Sequence, residues 1–325
     1  MRQAISIPAS FFGMVLGLVG LGGDWRIAHR IWSVPSLIGE SIIALAVGIW
    51  GLLLLLYTAK WLWRRSEAEA EFEHPVQCCF VGLLPVSTML VGLALLRYSY
   101  NVALVIGTVG AVSQLGFAIF RTGQLWTGGR DPLTTTPILY LPTVAGNFIT
   151  ANLVAAFGYG DLASLCFGAG LLAWLALESV LMHRLYVLAP LAPALRPYLG
   201  IQFAPPVVGC SAYLSLTEGP PDLVAKGLLG YGLLQVLIVA RMLPWIMVQP
   251  FAVSYWAFTF GLTVMAFDTM KFVERGAGGL MFTLAGVSFV IANLAVGLIA
   301  IGTVWLVIRG RIVPSAPLQA YDGAR

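Results

Sequence analysis

Ten apolar stretches, most of them as long as a bilayer-crossing helix, follow one another with short polar breaks between them. A helical span needs roughly 17–25 predominantly apolar residues. The stretches run approximately 8–22, 37–61, 78–96, 100–120, 138–157, 162–182, 199–216, 223–243, 251–270 and 280–308, the first being short. In hydrocarbon every backbone polar group must be bonded within the protein, so segments of this kind are helical. The predicted fold class is therefore all-α integral membrane with ten transmembrane helices. Residues 1–310 are expected to form a single transmembrane domain, and residues 311–325 a short polar C-terminal tail.

Composition agrees. Of 325 residues, 59% are hydrophobic and 10% charged, against about a quarter charged in soluble domains. The partner this surface asks for is a lipid bilayer. The longest charged stretch, Arg64 to His74, reads as a loop. The net charge is +4, yet no basic patch interleaved with exposed aromatics is present, so nucleic acid is not an expected partner. With each Lys and Arg assigned to the nearer span end, twelve fall on the side of the termini and six on the other. That bias predicts both termini in the cytoplasm. Trp61, Trp63, Trp126 and Trp245 lie near that face, as interface anchors. Arg2 and the apolar run to Leu21 resemble a signal peptide, but Pro8 opens the run and no small-x-small cleavage site follows, so a retained first helix is expected.

Catalytic and metal chemistry find little support. The four cysteines have no CxxC or zinc-ligand spacing and read as small apolar residues. His29, His74 and His183 all lie in or beside predicted loops. No Ser/His/Asp set or phosphate-binding glycine motif occurs. Neither an enzyme, a metal nor a cofactor is expected.

The odd-numbered spans share a mark. Pro8, Pro85, Pro142 and Pro205 each stand near a run of small residues in spans one, three, five and seven, and Gly261 stands there in span nine. The even spans show no internal proline. Proline removes a backbone hydrogen bond and kinks a helix, and irregular backbone in a membrane is tolerated where it is buried or lines a water-filled cavity. Five helical hairpins are predicted, each with one broken and one straight helix, the broken helices surrounding a central pore. Shaping of helix packing is the ordinary alternative.

Ionisable groups within the spans are few. Glu178, Asp268 and Glu40 lie near span ends, where local hydrogen bonds are expected to satisfy them. Their scarcity favours passive conduction over coupled transport. Asn147 and Gln202 sit on broken spans and are candidates to line the pore, whereas Gln114, Gln235 and Asn293 are assigned to bonds between helices. Without a buried cation, anion selection would rest on helix N-terminal ends within the membrane and on hydroxyls such as Ser10, Ser87, Thr88, Thr143 and Ser211. Phe260 closes the aromatic run Tyr255 to Phe260 just before Gly261. Taken alone, it reads as a packing or lipid-facing residue.

The stretches from Ile7 to Gly17, Thr136 to Phe148, Gly230 to Gln235 and Tyr255 to Gly261 together resemble the tellurite-resistance and dicarboxylate transporter family, and its bacterial members most. The resemblance implies five hairpins around a quasi-fivefold axis, kinked odd helices in the inner ring, and a homotrimer in which each protomer has its own pore. It places the chain in a bacterial inner membrane. In the related plant guard-cell anion channels a phenylalanine of span nine plugs the pore, and by motif position that residue is Phe260. Those channels tend to have proline next, where this chain has Gly261. The resemblance thus implies a channel for small inorganic or organic anions gated by Phe260. The alternative it implies is a proton-coupled transporter of C4-dicarboxylates or tellurite, using a carboxylate such as Glu178 or Asp268.

Overall fold

The computed structural model describes residues 7–312. Among the described residues, ten long helical segments follow in order: α1 (Ala9–Trp32), α2 (Ser36–Trp63), α3 (Gln77–Leu95), α4 (Tyr100–Trp126), α5 (Pro137–Ala156), α6 (Gly160–Val187), α7 (Pro193–Leu216), α8 (Leu223–Ile246), α9 (253–274) and α10 (Leu280–Ile308). Among the described residues, nine are long and apolar enough to cross a membrane. The remaining one, α9, joins a 3-10 stretch, Val253–Phe258, to an α stretch, Thr259–Glu274. It carries Asp268, Lys271 and Glu274 towards its end.

Consecutive helices pair as hairpins: α1 with α2, α3 with α4, α5 with α6, α7 with α8 and α9 with α10. The odd helices also pack side by side, α1 on α3, α3 on α5, α5 on α7, α7 on α9, and α9 back on α1. The ring of five is therefore closed. In the apolar windows of α1, α3, α5 and α7, 67–78% of the residues are buried, against 17–28% in the even helices. The odd helices form the inner ring and the even helices face lipid. Trp63 and Trp126 end α2 and α4 largely exposed, as residues at a headgroup boundary do.

The breaks in the odd helices are of a particular kind. Each of these helices begins with 3-10 turns: Ala9–Phe12, Gln77–Gly82, Pro137–Leu139, Pro193–Ile201 and Val253–Phe258. Prolines concentrate at the entrances, where the missing N–H costs nothing. Pro8 precedes the first 3-10 turn, Pro85 is the third residue of the α stretch Leu83–Leu95, and Pro205 is the second of Ala204–Leu216. The expected mid-helix kink is replaced by a 3-10 to α transition. Pro142 alone lies within a π turn, Leu141–Ala145.

Three further expectations are corrected. Residues 64–74 are not a loop: Arg65–Glu73 is a helix, pinned by Glu71. That carboxylate accepts from Lys60 Nζ at 2.7 Å and from the Ala9 backbone N–H at 2.7 Å. An even helix does contain a proline, because α8 extends to Ile246 and includes Pro244. The first span is not short. It continues through Gly22 and Gly23 to Trp32, since packing against α2 and α9 supports the polar turn around Asp24. Of the predicted polar tail, residues 313–325 lie outside the described residues, as does Arg2.

Candidate functional site

Two cavities occupy the axis of the inner ring. The inner one, about 70 Å³, is lined from the first halves of all five odd helices, with Ser10, Leu83, Val144, Pro205 and Phe260 each from a different one. The outer one, about 440 Å³, is lined from their second halves, by Gly20, Leu90, Asn152, Ser211 and Phe260 among others. Along every odd helix the inner-cavity residues precede the outer-cavity residues, so the two spaces are stacked along one axis. Among the described residues, only Val208 and Phe260 belong to both walls. Phe260 is half-buried, and it stands between the cavities.

The outer mouth is electropositive. Arg26, Arg30 and Lys271 line it. Arg26 and Arg97 both bind Glu40 at 2.7 Å, while Arg30 and Lys271 both bind Glu274. Four cations thus share two carboxylates. A surplus of one sign within a low-dielectric funnel concentrates counter-ions of the other. From the sequence these cations count only towards the charge bias that orients the chain, because their place on the axis depends on how α1 and α9 pack. Helix ends contribute less than expected. In α1 the 3-10 turn feeds straight into the α stretch, and the Gly13 N–H is bonded to the Ser10 carbonyl, so no free helix N-terminus is exposed there.

The predicted pore-lining residues separate into two groups. Phe260 and Pro205 line the axis. Pro8 lies at the entrance of α1. The others face neighbouring helices. The Pro85 carbonyl abuts Gly110 of α4, and Gly261 is packed so tightly on Phe203 of α7 that a methyl group there would collide with the ring. Pro142 and Asn147 border a separate groove between α4, α5 and α6, and Asn147 Nδ2 donates to the Thr143 carbonyl at 2.6 Å. Gln202 is buried and directed at α6, where its Nε2 donates to both Glu178 oxygens at 3.2 and 3.1 Å. Of the hydroxyls, Ser10 and Ser211 line the axis. Ser87 and Thr88 turn back onto the Leu84 carbonyl.

The carboxylates divide in the same way. Glu178 accepts from Tyr140, Trp174, Gln202, Tyr231 and Gln235, so four helices converge on one charge. Asp268 does not fit the expected pattern of a helix end satisfied locally. It is fully buried and none of its oxygens has a hydrogen-bond partner among the described residues. Asp24 of α1 is in the same condition. It had not been singled out, because Gly22-Gly23-Asp24 reads as a helix terminus until α1 is seen to run on.

Comparison with known proteins fits this architecture. The chain is 36% identical over 306 residues to the tellurite resistance protein TehA homolog of Haemophilus influenzae, covering 94% of this chain and 92% of that protein. It is 24% identical over 288 residues to the guard cell S-type anion channel SLAC1 of Arabidopsis thaliana, covering 84% and 51%. An uncharacterized transporter of Methanocaldococcus jannaschii is 24% identical over 278 residues, 78% of this chain and 80% of its own. Residues 6–304 match the SLAC1 family, described as voltage-dependent anion channels. Five hairpins closed around an axial path, and a family match over nearly the whole chain, place this multi-pass membrane protein in the SLAC1 anion channel family.

Proposed function

We propose that the protein conducts small anions along the axis of its inner ring and that Phe260 is the gate. The observation that carries this reading is the membership of Phe260 in the walls of both stacked cavities. A bulky apolar ring between two cavities closes a path by steric block and dewetting. The electropositive outer mouth supports anions as the permeant class, as do the names of the relatives. The distribution of Lys and Arg supports both termini in the cytoplasm, the similarity to a bacterial relative supports an inner membrane, and a homotrimer rests on the family resemblance alone.

Reconstitution into anion-loaded vesicles tests the gate. Wild type should leak chloride or nitrate slowly, and Phe260→Ala should release either at least ten times faster. Equal rates for the two proteins would remove Phe260 from the path. The carrier reading through Glu178 has no comparable support, because that carboxylate lines neither cavity and is saturated by five donors.

A further inference from the structure

α1 and α9 form the closing joint of the inner ring, and α9 carries Phe260. Their contact is built from small residues. A methyl group on Gly17 would collide with Thr259, and one on Gly20 with Thr263. Small residues at such a seam let helix backbones approach closely. Beyond it, at the outer end of the same two helices, stand Asp24 and Asp268. Both are 0% exposed, they lie within electrostatic reach of each other, and all four carboxylate oxygens lack a hydrogen-bond donor among the described residues.

No neighbouring cation serves them. Arg26 is bound to Glu40 of α2, and Arg30 and Lys271 are bound to Glu274. Arg275 donates to Thr217 and to the Leu214 carbonyl. From α7, the Cys210 thiol faces Asp268 but bonds the Ala225 carbonyl at 3.5 Å. Lys226 of α8 is exposed. α10 and the Leu83–Leu95 stretch of α3 contain no titratable side chain. Two bare carboxylates without water or a cation would cost many kcal/mol, far more than one helix seam returns. A buried carboxyl pair instead holds a proton, as like charges in one site do.

We propose that Asp24 and Asp268 are a proton-binding site buried at the α1–α9 joint behind the wall of the anion path, and that their protonation keeps α1 packed on α9 with Phe260 across the axis. Release of the proton puts like charges beside each other at the joint, separates α1 from α9 and frees the ring. The path then opens as pH rises. This deepens the channel reading and rests on Phe260 as the gate. The site differs from the carboxylate of a coupled carrier in one respect: the proton sets the state of the path and does not travel with the anion.

Two measurements on the full-length protein test it. Infrared difference spectra of wild type across a pH titration should show a protonated carboxyl C=O band at neutral pH, altered in each of Asp24→Asn and Asp268→Asn and lost in the double Asn variant. This readout is independent of whether anions pass, and absence of the band in wild type overturns the proposal. In vesicles, wild-type chloride efflux should rise several-fold from acidic to alkaline pH. Each Asn variant, a fixed neutral mimic, should stay at the acidic rate throughout, while Phe260→Ala should be fast at every pH. An unchanged pH profile in both Asn variants overturns the link to the gate. A silent Phe260→Ala protein overturns the gate itself and leaves the infrared result to decide the proton site.

Discussion

Gln114 of α4 donates its side-chain amide to the Pro142 carbonyl of α5 at 2.9 Å and to the Leu141 carbonyl at 3.3 Å. The π turn at Leu141–Ala145 interrupts the ordinary helical ladder of α5, and hydrocarbon offers no water to replace it. A neighbouring helix therefore supplies the donor, the remedy that an irregular backbone in lipid requires. Gly146 makes room for this, since a Cβ there would collide with the Gln114 amide. Replacing Gln114 with Leu should destabilise the protein by about 1–3 kcal/mol, the cost of stranding a buried polar group. The midpoint of thermal unfolding in detergent measures it.

Lys60 and Glu71 form an ion pair with side chains 6% and 7% exposed. It fastens the helix Arg65–Glu73 to the start of α1, because Glu71 also accepts from the Ala9 N–H and Lys60 donates to the Ile7 carbonyl at 3.3 Å. Removing either partner alone leaves a buried charge and should cost about 3–5 kcal/mol. The Lys60→Met, Glu71→Leu double variant should recover much of that loss. A double-mutant cycle on unfolding midpoints decides it, and additive losses would show that the two residues act separately.

Arg30 and Lys271 share Glu274 at the outer mouth. Neutralising both, as Arg30→Gln with Lys271→Gln, should leave Glu274 without a cation and slow anion efflux at low ionic strength. The deficit should shrink in salt, since the Debye length falls from about 30 Å at 0.01 M to about 10 Å at 0.1 M. Efflux measured across a salt series with impermeant counter-ions reads this directly. A deficit that is constant with salt would indicate a structural defect and not lost attraction.

Glu178 holds together α5, α6, α7 and α8 through Tyr140, Trp174, Gln202, Tyr231 and Gln235. Glu178→Gln removes the charge that strengthens these bonds, each worth about 1.5–3 kcal/mol when an ion is involved. Stability should fall by about 2 kcal/mol or more, while the efflux of Phe260→Ala, measured in the combined variant, should stay equally fast at every pH. Parallel unfolding and efflux assays separate the two effects.

What the sequence determined by itself is the arrangement along the chain. The number and order of the helical segments, and the marking of the odd ones by proline or glycine, were legible because the bilayer acts on each segment independently. A stretch must be apolar and helical over its length whatever its neighbours do. Gln114 could be assigned to an inter-helix bond for the same reason: an amide in hydrocarbon needs a partner wherever it stands. Arg65–Glu73 was missed as a helix because its anchor, Glu71 on Lys60 and Ala9, joins segments distant in sequence.

The tertiary structure decided what faces the axis. Helical periodicity gives a residue a face, but in a ring of five helices two neighbours, one outer helix and the axis all compete for it. Gln202 and Asn147 were candidates for the pore because they are polar and on broken helices. Packing turned one towards Glu178 and the other into a groove beside α4. Phe260, which alone read as an ordinary apolar residue, came to stand between two cavities. Arg26, Arg30 and Lys271 became a positive mouth, and Asp24 and Asp268 became buried. Each of these outcomes depends on the distance between residues on different helices, which the closure of α9 onto α1 sets.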